Sequence, residues 1–398
     1  MRTPVVRTAL SLLAVTSVVA ACGSASSSES DSTTPPSTTT TTTTTTTPNP
    51  AGTAAAYAEP GPYGVGYTTL ELADGRDVVV WYPAEPGPTA TDGARQTIDY
   101  YASLRADLQA KIPQADRVPF ETDAYAEVPA ASLDEPAPLV VYSHGYGGWP
   151  EVSASFLTLF ASWGFVVAAP DHVERSGPGM FGTAAEGVPP KTDLEVLEAT
   201  IDRTLEASSA SGPLEGLVDP ERIVATGESA GAGAAYGLAS ADDRVDAWIS
   251  YSVGFGGALG TAPAVPNKPG MVMLAADDGV IPPAATRLVY DGMVSPKYLV
   301  EVADAGHALF TDLCLMGGDG PHNLVRRLPT WKVAPDWMVD AAQDGCEVDR
   351  PKVSEAFPAI DHLGVAFFRS VLGIDPQPVG LDTEAVADLG TPVTVTAG

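Results

Sequence analysis

The chain has 398 residues, 44% hydrophobic and 18% charged, with 21 Lys and Arg against 50 Asp and Glu and a formal net charge of -29. That balance excludes nucleic-acid binding, and docking to anionic lipid through a basic patch, because so negative a surface repels phosphate. The apolar content, with 13 Tyr, 10 Phe and 6 Trp, excludes a wholly disordered chain and provides for a sizeable core.

Met1-Arg2-Thr3 and Arg7 precede an uncharged stretch over residues 9–21. These are the charged and apolar regions of an export signal, too short to span a bilayer as a mature helix. The stretch ends in Val19-Ala20-Ala21-Cys22-Gly23-Ser24, which resembles the bacterial lipobox. The resemblance implies removal of residues 1–21 and lipidation of Cys22. The chain would then be exported and held by lipid to the outer face of the cell membrane or envelope. The alternative is an ordinary signal peptide and a secreted chain. Residues 22–59 are expected to be a disordered spacer, because the Ser, Thr and Pro of 24–50 cannot bury enough apolar area to offset ordering. Cleavage removes Arg2 and Arg7 and no acid, so the mature chain is more acidic still.

The body, set at residues 60–373, opens with β-rich runs at 67–72 and 77–82 joined by Ala73-Asp74-Gly75-Arg76, a hairpin signal. Short apolar runs follow at 139–143, 165–169, 222–226, 245–251, 271–275 and 298–302. Amphipathic stretches separate them, such as 194–206 with Leu194, Val196, Leu197, Ile201 and Leu205 apolar. Buried strands alternating with helices predict a mostly parallel sheet covered on both faces. A leading hairpin before parallel strands is the layout of the α/β-hydrolase fold, here with no large lid domain between 251 and 271. Any roof over the site must come from 173–191 or from the segment after His307. Pro-rich residues 374–398 read as a loosely held tail.

The run 222–226 leads into Gly227-Glu228-Ser229-Ala230-Gly231, a G-x-S-x-G that follows an apolar strand and opens a small-residue helix. Such a turn needs small neighbours because strand and helix approach closely, and the helix start offers free N–H groups to an oxyanion. Ser229 is therefore the candidate nucleophile. A serine hydroxyl needs a base, and the base needs an acid to orient it. Among five histidines, His307 sits just after the 298–302 run, downstream of an acid, where the fold expects the base. His144 and His172 read as structural, hydrogen-bonded beneath the site. The acid falls in Ala275-Ala276-Asp277-Asp278-Gly279-Val280-Ile281-Pro282. Asp278 is preferred because its spacing to Ile281-Pro282 resembles the Asp-x-x-Val/Ile-Pro pattern usual in the α/β-hydrolase family, and Asp277 is the alternative. The Gly-rich loop His144-Gly145-Tyr146-Gly147-Gly148-Trp149 is expected to supply one oxyanion donor, Tyr146 N–H or else Gly145 N–H, beside Ala230 N–H.

Ser143-His144-Gly145-Tyr146-Gly147-Gly148 and Gly306-His307-Ala308-Leu309-Phe310-Thr311-Asp312 resemble the platelet-activating-factor acetylhydrolase-like group of the α/β-hydrolase superfamily. Dienelactone-hydrolase-like and polyester-hydrolase/cutinase-like proteins are close seconds. Two departures stand out: Ser229 replaces the cysteine nucleophile of dienelactone hydrolases, and Glu228 replaces the histidine usual in the acetylhydrolase elbow. In an exported chain Cys314 and Cys346 are expected to form a disulfide, contributing about 3–4 kcal/mol and steadying the loop of His307. No C-x-x-C, H-E-x-x-H, phosphate-binding loop or dinucleotide fingerprint occurs, so neither a cofactor nor a metal is expected.

These features predict a serine-dependent carboxylic ester hydrolase acting on a small-molecule ester, through an acyl-enzyme, at a shallow, open site suited to short acyl or lipid-like groups. The rival readings are an inactive surface binding protein that kept the fold, and an acyltransferase in which an alcohol deacylates the enzyme.

Overall fold

The computed structural model describes residues 54–85 and 93–398. The export signal, Cys22 and most of the 22–59 spacer lie outside the described residues. The strands are β1 (Gly64–Glu71), β2 (Asp77–Ala84), β3 (Arg95–Ile98), β4 (Phe120–Ala126), β5 (Ala137–Ser143), β6 (Val166–Pro170), β7 (Val218–Glu228), β8 (Val245–Tyr251), β9 (Gly270–Ala275), β10 (Lys297–Val302) and β11 (Val393–Ala397). They form one sheet in the order β11-β10-β9-β8-β7-β5-β6-β2-β1-β4-β3. Pairing is parallel from β6 through β5, β7, β8 and β9 to β10. The β1–β2 hairpin pairs antiparallel, Gly64 opposite Ala84 and Glu71 opposite Asp77.

Period-two alternation divides the core between the two faces of the sheet. In β5, Val140 and Tyr142 join one apolar cluster while Leu139 and Val141 join the other. The helices follow in chain order as α1 (Ala106–Gln109), α2 (Ala154–Ser162), α3 (Gly177–Phe181), α4 (Asp193–Ser208), α5 (Ala230–Ala241), α6 (Pro283–Gly292), α7 (Leu324–Trp331), α8 (Asp336–Gln343), α9 (Phe357–Val371) and α10 (Thr383–Val386). Phe160 of α2 and Phe367 and Phe368 of α9 cover the first face, and Val196 and Ile201 of α4 with Leu238 of α5 cover the second. The amphipathic run predicted at 194–206 is α4, started one residue earlier by a capping box in which Thr192 and Glu195 satisfy each other's backbone N–H.

The chain passes from β5 to β6 on one side and returns to β7 on the other. The carboxyl ends of β5 and β7 therefore flank the crevice where open α/β sheets bind ligands.

Two expectations about the ends of the body are corrected. The body begins before residue 60: Tyr57 is fully buried, edge-on to Trp163 at 4.8 Å, and its backbone N–H donates to His362 Nδ1 at 3.2 Å. Its hydroxyl bonds Asp375, which is paired with buried Arg369 at 2.7 Å. The tail is not loose either, since β11 adds antiparallel to β10, Tyr298 opposite Ala397 and Val302 opposite Val393. Edge pairing is carried by backbone groups, so the Pro-rich composition between 374 and 392 hid it. Strands β3 and β4 had no apolar run to announce them, and β7 extends back through Asp219-Pro220-Glu221, ahead of the apolar run at 222–226.

Candidate active site

At the end of β7 the chain turns sharply into α5. Ser229 occupies the turn at φ 55°, ψ -120°, a backbone conformation that costs a non-glycine residue about 1–3 kcal/mol and lifts its side chain off the sheet. The flanking glycines are required by contact. A Cβ on Gly231 would fall 1.9 Å from Ser143 O, and one on Gly227 would fall 2.3 Å from Gly231 O.

Ser229 Oγ stands 3.0 Å from His307 Nε2, and His307 Nδ1 stands 2.9 Å from Asp278 Oδ2. Asp278 is 6% exposed and takes three further bonds: Val280 N–H at 2.9 Å, Ile281 N–H at 2.7 Å and the Ser252 hydroxyl at 2.8 Å. Burial opposes its charge, but the His307 hydrogen bond and charge, then the Ile281 and Ser252 bonds, hold it below the ordinary carboxylate value. An ionised Asp278 can only accept, so Nδ1 carries the ring proton and Nε2 is free to accept from Ser229. Burial likewise pulls the His307 imidazole down, but the Asp278 bond and charge, helped by Glu228 and Asp344, outweigh it and leave its pKa raised. Asp277, the alternative acid, instead faces Arg350 at 2.8 Å on the exposed side of the turn.

The two oxyanion alternatives are separated by Glu228. The Gly145 N–H donates to its carboxylate, and a Cβ on Gly145 would lie 2.5 Å from Glu228 Oε1. The N–H groups of Tyr146 and Ala230 make no hydrogen bond among the described residues. Glu228 is itself buried, and burial pushes its carboxyl up despite the opposing His307 charge and the Gly145 bond.

The site opens into a cleft of about 140 Å³. Tyr100 and Trp149, stacked at 4.5 Å, line one side, and Leu324, Leu328 and Val339 line another. The mouth carries Tyr146, 52% exposed, and Trp337, 59% exposed, with ring centroids 5.7 Å apart. The expectation of a shallow, open site is therefore corrected. Helices α7 and α8, from the segment after His307, wall the cleft, and Met338 of α8 sits where a Cβ on Gly147 would be 2.7 Å away. Cys314 and Cys346 are joined in a disulfide whose Cα atoms are 5.3 Å apart, closing the loop that carries both helices. The roof thus comes from the segment after His307, one of the two that the sequence allowed, and Phe181 of the other also lines the cleft.

His144 and His172 lie fully buried behind the site. The His172 backbone N–H donates to His144 Nε2 at 3.1 Å, and Arg175 Nη2 donates to Ser143 Oγ at 2.8 Å. His322 bonds Asp116 at 2.8 Å and His362 bonds Gly380 O at 3.1 Å, both away from Ser229. Among the described residues no group of three or more His, Cys, Asp or Glu is placed to hold a metal ion.

Sequence reasoning missed Ser252, Glu228 as a clamp, and Asp344. Ser252 had a signal, a polar residue at the carboxyl end of the strand beside the elbow. Asp344 had none, being 37 residues from the His307 amide that it accepts.

Among solved structures, a ferulic acid esterase from Streptomyces cinnamoneus at 2.4 Å resolution superposes with a TM-score of 0.54 and 22% identity, over 84% of this chain and 96% of that one. The chain has the α/β-hydrolase fold. Its nucleophile, acid and base candidates stand at 229, 278 and 307, the chain order of that hydrolase fold. A family model described as platelet-activating factor acetylhydrolase, isoform II, matches residues 96–186. That span holds β5, the Gly-rich loop and the paired histidines behind the site. Ser229, Asp278 and His307 lie beyond it. No curated protein matches the chain significantly.

Proposed function

We propose that the chain is a serine-dependent carboxylic ester hydrolase. Ser229 Oγ attacks the ester carbonyl while His307 Nε2 takes its proton, and Asp278 holds the ring and stabilises the imidazolium that forms. The tetrahedral oxygen receives Tyr146 and Ala230 N–H, each worth about 3 kcal/mol of transition-state stabilisation. His307 returns the proton to the departing alcohol, and water then releases the acyl group by the same route. The single observation that carries the reading is the strained seryl turn joined to a histidine at 3.0 Å and, through it, to a carboxylate at 2.9 Å.

The substrate is an ester with an apolar group, for which the walls of Leu324, Leu328 and Val339 are suited. Short acyl esters and ferulate esters are the two classes to compare, the second because of the structural likeness to a ferulic acid esterase. Export, cleavage before Cys22 and lipid anchoring through a Ser/Thr/Pro spacer complete the proposal.

The test is labelling with a fluorophosphonate, followed by peptide mapping and product analysis with added glycerol. A single label on Ser229 and release of free acid support the reading. An unlabelled chain identifies an inert binder, and glyceryl esters as the main product identify an acyltransferase.

A further inference from the structure

One carboxylate outside the Ser229–His307–Asp278 relay touches both loops that carry its acid and base. Asp344, the residue that follows α8, accepts the His307 N–H at 2.7 Å and the Gly279 N–H at 3.0 Å on the same oxygen, Oδ2. Gly279 directly follows Asp278. The Asp344 carbonyl accepts the Ala308 N–H at 2.8 Å, so both backbone amides on the base side of the contact end on this one residue. The next residue presses closer still. A Cβ on Gly306 would fall 2.5 Å from Gly345 N, and Gly345 adopts φ 96°, which an L side chain resists. Cys346, one residue further, is bonded to Cys314 and so fixes this clasp to the far end of the His307 loop. Arg350 ties the same segment to Asp277, the neighbour of Asp278.

We propose that Asp344 is a positioning residue that ties the acid loop to the base loop and sets the distance between Asp278 and His307. The inference rests on the reading of Ser229, His307 and Asp278 as catalytic. The two loops leave the sheet from different strands, β9 and β10, and the last backbone bond between them, Asp277 N–H to Ala305 O at 2.9 Å, stops short of residues 278 and 307. A shared carboxylate oxygen is a short, stiff link across that gap. Small misplacements of a base cost rate steeply, up to about 10²-fold for about 1 Å. The charge acts as well as the geometry. His307 is faced by Asp278 on the loop after β9, by Glu228 at the end of β7 and by Asp344 behind α8. Around Asp344 stand Arg350, paired with Glu347 at 3.2 Å, and Asp277.

Two substitutions separate geometry from charge. Asp344→Ala removes the acceptor, and kcat for p-nitrophenyl acetate is expected to fall roughly 10–100-fold with KM within about threefold. Asp344→Asn keeps an oxygen for both amides but removes the charge. Its kcat should fall less, and the acid limb of kcat/KM should move down by roughly a few tenths of a pH unit, because the imidazolium loses a favourable neighbour. A purely structural role would lower Tm in both variants and leave the limb in place. Wild-type kcat in Asp344→Ala together with an unmoved limb in Asp344→Asn would overturn the proposal. If the alanine variant does not fold, the isosteric asparagine decides alone by its limb. Ser229→Ala runs alongside: turnover surviving there would sink the catalytic reading itself, whereas a dead Ser229→Ala beside a fully active Asp344→Ala would sink only the role of Asp344.

Discussion

The molecule contains two Ser-His-Asp arrangements of nearly the same dimensions. In one, Ser229 Oγ lies 3.0 Å from His307 and His307 lies 2.9 Å from Asp278. In the other, Ser143 Oγ lies 2.9 Å from His172 Nε2 and His172 Nδ1 lies 2.9 Å from Asp193 Oδ1. Their surroundings are opposite. Ser143 is the last residue of a regular strand, has no exposed surface, and accepts a guanidinium bond from Arg175 that engages its lone pairs. Burial first, and then the Arg175 charge, pull His172 down to about 3, so it stays neutral at any working pH. His307 has no such cation against it among the charges acting on it, and three carboxylates raise it. Ser229 is lifted by a strained turn to the wall of a cleft. Distance alone therefore does not separate the proposed nucleophile from the buried serine; access, backbone strain and the sign of the neighbouring charges do.

The sharpest way to break this contrast is to remove each hydroxyl. Ser229→Ala should lower p-nitrophenyl ester turnover by about 10⁴-fold or more with the fold intact. Ser143→Ala should lose stability, roughly 1–3 kcal/mol for the buried partners left unpaired, while the folded fraction keeps turnover of the same order as wild type. Comparable losses of activity in the two variants would erase the distinction.

The acids come next. Asp278→Asn should cost about 10³–10⁴-fold in kcat, because the wrong tautomer is then favoured. Asp277→Asn, whose partner is Arg350 at a half-exposed site, should stay close to wild type. Steady-state kinetics on the two proteins decides between neighbours that sequence spacing alone could only rank.

The smallest effect is in the pH profile. In the proposed mechanism His307 works as a neutral base, and a raised pKa leaves more of it protonated at a given pH. The acid limb of kcat/KM should therefore sit above 6.5, the ordinary histidine value, with activity rising as pH rises through it. Asp278→Asn should move what limb remains downward, whereas His172→Asn should alter Tm and leave the limb where it was. A limb below 6.5 in the wild-type protein would contradict the electrostatics described for His307.

Much of the site is legible locally. Ser229 is marked by small residues on both sides, a requirement of close strand–helix approach that must be written within a few positions. Asp278 is marked by Ile281-Pro282, since its own Oδ1 caps the amides of Val280 and Ile281 at 2.9 and 2.7 Å. The ends of the domain were not legible. Tyr57 is buried by Trp163 and His362, and β11 by the open edge of β10; neither partner is near in sequence. The roof was located to a segment but not resolved into helices, because short helices between a disulfide pair carry little periodicity of their own.

By itself the sequence determined the alternation of buried strands and amphipathic helices, the seryl elbow, the order of the nucleophile, acid and base candidates, and a strongly negative net charge. These follow from short-range sterics, side-chain periodicity and summed charge, all of which are properties of a linear chain. Only the tertiary structure decided that Gly145 N–H is taken by Glu228, that Asp277 turns away toward Arg350, that α7 and α8 wall the cleft, and that Asp344 joins the two loops. Each of those depends on which distant groups are left to meet once the sheet is assembled, and hydrogen bonds and charges act over a few ångströms of space whatever their separation along the chain.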